Sequence, residues 1–188
     1  MKRVFLIHGW EGYPDEGWQP WLKKELQNRK FKVFVPAMPD TVNPALEKWL
    51  PHLVKIAGKV SKNDFFVGHS LGCITILRFL ETLKNEEKVG GVILIAGFGH
   101  DLAYLVYKRE LSSFFKKPIN WSKIKKHCPR FITIHSDNDP YVPLSHGHLF
   151  KEKLGAKLII EHNMKHFSGD DKIFQLPSAL AALLEIIQ

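Results

Sequence analysis

The sequence predicts an α/β fold: a three-layer α/β/α sandwich built on a mainly parallel sheet of about six strands. Three observations predict it. Short runs that are apolar throughout recur along the chain, as strands buried on both faces require. Segments with apolar residues at helical spacing separate them. Glycines and hydrogen-bonding residues collect directly after the apolar runs, where an open parallel sheet binds its ligands.

The elements follow in order. Val4–Ile7 reads as the first strand. A helix runs from about Trp18 to Asn28, with Trp18, Trp21, Leu22, Glu25 and Leu26 at helical spacing. Phe31–Val35 is a second strand, ended by Pro36. A helix from about Pro44 to Lys59 carries Leu46, Leu50 and Leu53 on one face, and Pro51 inside it predicts a kink or a restart. Phe65–Val67 is a strand and Leu71–Leu83 a helix, followed by strands at Gly91–Ala96 and Phe131–His135. A helix near His146–Leu154, a strand at Lys157–Glu161 and a terminal helix near Lys172–Ile187 complete the pattern. The stretch 98–129 is aromatic, basic and weakly periodic; it reads as a small lid-like insertion in a single domain covering residues 1–188.

The bulk composition sets limits. With 188 residues, 45% hydrophobic and 24% charged, the chain suits one globular domain with a sizeable core. No stretch approaches the roughly 18 apolar residues of a membrane helix, so no membrane span is expected. The apolar run after Met1-Lys2-Arg3 is too short for a signal-peptide core, which makes a cytoplasmic location the expectation. Cys73 and Cys128 then read as reduced and buried. The net charge of +8 is spread along the chain, with a local excess at 108–126. It accompanies no zinc-finger spacing or RNA-binding aromatic signature, so it reads as a solvated basic surface and no nucleic-acid partner is expected.

Four strand ends can converge on one cleft: His8–Gly12, Gly68–Gly72, Ser136–Pro140 and His162–Phe167. The second is specific. Gly68-His69-Ser70-Leu71-Gly72, between a strand and a helix, is the Gly-x-Ser-x-Gly turn that exposes a serine hydroxyl at the top of a sheet. Such a hydroxyl needs a base, and the base needs an orienting carboxylate. In this fold they follow in the order Ser, Asp or Glu, His. Asp139 is the favoured acid because it opens the stiff turn Asp139-Pro140-Tyr141-Val142-Pro143; Asp137 competes and could instead bond the local backbone. His166 is the favoured base because it lies deeper in its loop than the competing His162, ahead of Ser168, a potential cap for the last helix. His8, His100, His135, His146 and His148 read as structural or surface residues, and His146-Gly147-His148 lacks the partners of a metal site. The backbone N–H groups of Leu71 and Trp10 are the candidates for an oxyanion hole. Trp10, Tyr13, Trp18, His69, Phe98 and Tyr141 are candidates for lining a substrate pocket.

These residues together resemble the small α/β-hydrolases related to retinoblastoma-binding protein nine. The resemblance covers nearly the whole chain and implies a Ser–Asp–His triad, here Ser70, Asp139 and His166, with a small lid and poorly defined natural substrates; no cofactor is expected. Two positions depart from the pattern. Lys165 stands before the base where such enzymes often have glycine. Leu71-Gly72-Cys73-Ile74-Thr75 ends in threonine where a Leu-x-Cys-x-Glu motif has glutamate, so no retinoblastoma-type partner is implied.

The function expected is hydrolysis of a small-molecule carboxylic ester, with an amide or peptide as the weaker option. Two alternatives use the same residues or scaffold: acyl transfer, and a binding protein without catalysis. The sequence does not specify acyl chain length, leaving group or oligomeric state.

Overall fold

The computed structural model describes residues 1–102 and 111–188. Six strands form one sheet: β1 (Arg3–Ile7), β2 (Lys32–Phe34), β3 (Asp64–His69), β4 (Gly91–Ile95), β5 (Phe131–Ser136) and β6 (Lys157–Glu161). Their order is β2-β1-β3-β4-β5-β6, and every neighbouring pair is parallel. The described residues contain six α-helices: α1 (Gln19–Asn28), α2 (Leu46–Ala57), α3 (Leu71–Thr82), α4 (Trp121–His127), α5 (Ser145–Leu154) and α6 (Pro177–Ile187).

The apolar strands explain the layering. β3, β4 and β5 are buried at every position, so both faces of the sheet must be covered. On one face Trp49 and Leu53 of α2, Leu77 of α3, Ile124 of α4 and Phe150 of α5 pack on Phe5, Phe66 and Leu94. On the other, Leu22 and Leu26 of α1 and Ala179 and Leu183 of α6 pack on Val4, Val67 and Ile93. The chain leaves β1 for β2 on one side, then returns to place β3 on the other. This reversal opens a crevice at the carboxyl ends of β1 and β3.

Three local expectations differ from the structure. α2 runs continuously from Leu46 through Pro51, with no restart there. Burial of Trp49, Leu53 and Ala57 on both sides of the proline outweighs the one backbone bond it removes. The last helix begins at Pro177 instead of near Lys172, because Pro177 holds the preceding Leu176 outside the helical region, at φ −136° and ψ 79°. Over the described residues 111–129 the chain is more regular than its sequence pattern: a 3₁₀ turn at Ser112–Phe115 precedes α4, and the Asn120 side chain accepts the Lys123 amide as its cap. Residues 103–110 of the expected lid lie outside the described residues.

Candidate active site

Ser70 sits between β3 and α3 with φ 51° and ψ −117°, a conformation a non-glycine residue holds at a cost of about 1–3 kcal/mol. The flanking glycines make the turn possible by close approach. A Cβ at Gly72 would lie 2.2 Å from the Ile7 carbonyl oxygen, and one at Gly68 would lie 2.8 Å from the Cys73 backbone. The Ser70 amide donates to the Ile95 carbonyl at 2.9 Å, fixing the turn to β4.

The two residues favoured as acid and base meet at this serine. His166 Nε2 lies 2.9 Å from Ser70 Oγ, and His166 Nδ1 lies 2.8 Å from Asp139 Oδ2. The Asp139 side chain is 1% exposed. Its Oδ1 accepts the amides of Tyr141 at 2.8 Å and Val142 at 3.0 Å. A carboxylate accepts only, so Nδ1 of His166 carries the proton and Nε2 is left to accept from the serine hydroxyl.

The competing pair is also together, elsewhere. His162 Nδ1 contacts Asp137 Oδ2 at 2.6 Å, and Asp137 Oδ1 accepts the Asn163 amide at 3.0 Å. His162 is 77% exposed, and neither residue borders the cleft around Ser70. Asp137 thus ties two loops distant along the chain together, instead of bonding the local backbone of its own turn as expected.

The cleft beside Ser70 has a volume of about 1010 Å³. Gly9, Trp10, Leu71, His69, Tyr13, Phe98 and Tyr141 all border it, as do Leu102 and Leu111. Leu71 opens α3, so its N–H has no acceptor within the helix. A Cβ at Gly9 would lie 3.0 Å from the Ser70 Cβ, so the loop after β1 touches the serine. The ring of Tyr141 stands edge-on to His166 at 5.2 Å. Trp18 is a correction: it is 2% exposed and packs with Leu22 and Leu26 in the core under α1, away from the cleft lining. Its ring meets His69 edge-on at 6.0 Å, so it supports the site from beneath.

His69 proves to be more than a lining residue. Its Nε2–H donates to the His166 carbonyl at 2.7 Å, joining the serine turn to the base loop. Burial, reinforced by repulsion from His166, pushes its pKa down to about 3, so the ring stays neutral and keeps one donor.

Several residues that hold the base loop escaped sequence reasoning. Asn138 Oδ1 accepts the Lys165 amide at 2.8 Å, and Ser136 Oγ accepts the Met164 amide at 3.0 Å. Asp171 Oδ2 accepts the His166 amide at 3.1 Å and the Ser168 hydroxyl at 2.8 Å. Burial acts to raise the Asp171 pKa, but the Ser168 hydroxyl and the two amides outweigh it and hold the carboxyl below its ordinary value. The Asp171 amide in turn donates to Ser168 Oγ at 3.1 Å. Ser168-x-x-Asp171 is therefore a reciprocal capping pair, and the spacing was the available signal. It closes a turn under His166 and does not cap the last helix, which begins at Pro177.

The remaining histidines and cysteines have other surroundings. His146 is buried and accepts the Gly99 amide at 3.2 Å, whereas His148 is exposed. Among the described residues no group of three His, Cys, Asp or Glu side chains is disposed to hold a metal ion. Cys73 and Cys128 are free and buried, and burial pushes both thiols up. No helix of the described residues is long and apolar enough to cross a membrane.

Comparison with known proteins identifies the family. The Serine hydrolase family model matches residues 4–185. YdeN of Bacillus subtilis, named as a hydrolase, is 34% identical over 176 residues, covering 94% of this chain and 91% of its own. The serine hydrolase RBBP9 of Rattus norvegicus is 29% identical over 156 residues, covering 82% of this chain and 80% of its own. The crystal structure of the B. subtilis ydeN product superposes with a TM-score of 0.93 at 32% identity, over 100% of this chain and 99% of that one. Est1E from Butyrivibrio proteoclasticus, solved with ferulic acid bound, shares the fold at a TM-score of 0.78 and 14% identity, over 100% of this chain and 90% of that one. The chain belongs to the serine hydrolase family and has the α/β-hydrolase fold.

Proposed function

We propose that this serine hydrolase cleaves small-molecule carboxylic esters through an acyl-enzyme on Ser70. The observation that carries the reading is the unbroken contact chain from Ser70 Oγ through His166 to the buried Asp139, at 2.9 and 2.8 Å, opening on one cleft. Ser70 attacks the acyl carbon as His166 takes its proton, and Asp139 holds the imidazole and stabilises its charge. The Leu71 and Trp10 N–H groups meet the oxyanion. Collapse expels the alcohol, protonated by His166, and a water deprotonated by the same ring releases the acid. Tyr13, Phe98 and Tyr141 supply apolar contact for the substrate, and the region 98–129 serves as the lid, placing Phe98, Leu102 and Leu111 on the cleft. A cytoplasmic setting suits the two unpaired, buried thiols.

The test is labelling with a fluorophosphonate followed by turnover of a series of p-nitrophenyl esters. The expected result is stoichiometric labelling and hydrolysis in the wild type, both abolished in Ser70→Ala. Wild-type protein that neither labels nor hydrolyses any ester, while staying folded, would sink the proposal. Transfer of the acyl group to an added alcohol in preference to water would replace hydrolysis by acyl transfer.

A further inference from the structure

We infer that His8 is the positioning residue that aims the oxyanion-binding peptide, and that it does so as the neutral Nδ1–H tautomer. The inference rests on the proposed use of the Trp10 N–H in an esterase.

His8 is fully buried at the end of β1. Its Nε2 lies 3.1 Å from the Met38 amide nitrogen, which can only donate. Nε2 therefore carries a lone pair, and the single proton of a neutral ring sits on Nδ1. Nδ1 lies 2.9 Å from the Gly9 carbonyl oxygen, which can only accept. Both contacts are satisfied by one tautomer alone, and neither the imidazolium nor the Nε2–H form fits. Burial favours the same neutral state, acting against the pull of the Gly9 carbonyl.

The carbonyl of Gly9 and the N–H of Trp10 belong to one peptide unit. In a planar trans peptide the two point in opposite directions. The Gly12 amide donates to the same carbonyl at 3.2 Å, so the oxygen is held from two sides. With the oxygen turned toward buried His8, the Trp10 N–H faces the other way, where Gly9 meets Ser70 and Trp10 borders the cleft. A flip of this peptide would place a carbonyl oxygen where the oxyanion develops. Glycine at position 9 gives the peptide that freedom, and His8 removes it.

The restraint is itself anchored. The Trp49 indole N–H of α2 donates to the Pro39 carbonyl at 2.7 Å, fixing the segment that carries the Met38 amide. The Trp49 ring also meets the His8 ring edge-on at 5.8 Å. Glycine at position 12 lets the contact close without strain, since a Cβ there would lie a tight 3.0 Å from both the Gly9 oxygen and His8 Nδ1.

Two measurements test this. Long-range ¹H–¹⁵N spectra of the wild type report the tautomer without any substitution; an Nδ1–H signal for His8 is expected at pH 7, and an Nε2–H or doubly protonated ring would overturn the inference. The second compares His8→Phe with His8→Asn, using kcat for a p-nitrophenyl ester normalised to sites labelled at completion. Phe keeps the ring volume against Trp49 and loses both bonds; Asn keeps a donor near the Nδ1 position. Loss of one oxyanion donor costs about 10²–10³ in kcat. His8→Phe is expected to lose about 10²-fold in kcat with KM within about 3-fold, and His8→Asn to recover most of it. A folded His8→Phe protein with kcat within about 3-fold of wild type, or an Asn variant as impaired as Phe, refutes the role. An inactive wild type would sink the esterase reading alone, because the tautomer is measured separately.

Discussion

Replacing Asp139 by Asn tests the acid assignment through proton positions, with almost no change in shape. Oδ1 of Asp139 receives the Tyr141 and Val142 amides, and both are donors. An asparagine must therefore turn its oxygen to them and its NH₂ to His166. The NH₂ group donates, so His166 Nδ1 must accept, and its proton moves to Nε2, 2.9 Å from Ser70 Oγ. The base then presents a proton to the nucleophile it should deprotonate. In the Ser–His–Asp template this wrong tautomer lowers kcat about 10⁴-fold, or about 5.5 kcal/mol. The assay is steady-state turnover of p-nitrophenyl acetate, normalised to folded protein by circular dichroism. Asp137→Asn is the matched control; its histidine partner is exposed and off the cleft, so kcat within about 3-fold of wild type is expected. Activity of Asp139→Asn within 10-fold of wild type, or equal damage from Asp137→Asn, would refute the reasoning.

Gly72→Ala is expected to destabilise by about 3 kcal/mol or more, because its Cβ would meet the Ile7 carbonyl at 2.2 Å and neither backbone can yield cheaply; an unchanged urea midpoint would contradict the strand–helix contact. Gly155→Ala is the control, with open space around it and only the left-handed strain of φ 70° and ψ 25° to bear, about 1 kcal/mol. Acid is expected to weaken the fold through buried neutral histidines. Burial lowers the pKa of His69 to about 3 and of His135 to about 4, against 6.5 unfolded. The unfolded chain takes up these protons first as pH falls, so stability is full above about 6.5 and declines toward pH 4, by up to about 1.4 kcal/mol per unit for each histidine. Urea midpoints at pH 7 and 5 measure the slope. His135→Phe is expected to flatten it, and an unchanged slope would exclude His135 as a source.

The sheet was legible because β4 and the centre of β3 are apolar throughout and β5 carries apolar residues on both faces, and short runs of that kind fit a sheet covered on both faces far better than a half-solvated one. The elbow was legible because Gly68 and Gly72 respond to backbone contacts that no side chain survives. What the sequence hid was hydrogen bonding between segments distant along the chain. Asn138, Ser136 and Asp171 look like ordinary turn residues until the β5 and β6 loops are side by side. Trp18 was misplaced for the opposite reason: an aromatic next to a catalytic loop fits a pocket and a core equally well, and only the packing of α1 on the sheet decides. Pro177 was a signal available in the sequence, and the apolar pattern before it concealed the late helix start. Lys165 departs from the glycine common before the base, yet it holds φ 46°, between Asn163 at 59° and Phe167 at 57°. The position does demand a left-handed residue; the departure was one of composition, and the backbone conformation glycine favours is retained.

That base loop explains what the surrounding network does. Three left-handed non-glycine residues within five positions are costly, and a loop left to itself would relax. It is held by partners from three places: Ser136 and Asn138 from the end of β5, Asp171 from its own turn, and His69 from the serine turn. His69 acts on the loop as His8 acts on the other side of Ser70. Each is a buried neutral imidazole whose N–H seizes a single carbonyl, that of His166 in one case and of Gly9 in the other. A protonated ring could serve at neither place without placing a charge in the core. The precision of the site then depends on two buried neutral histidines that stand on either side of His166.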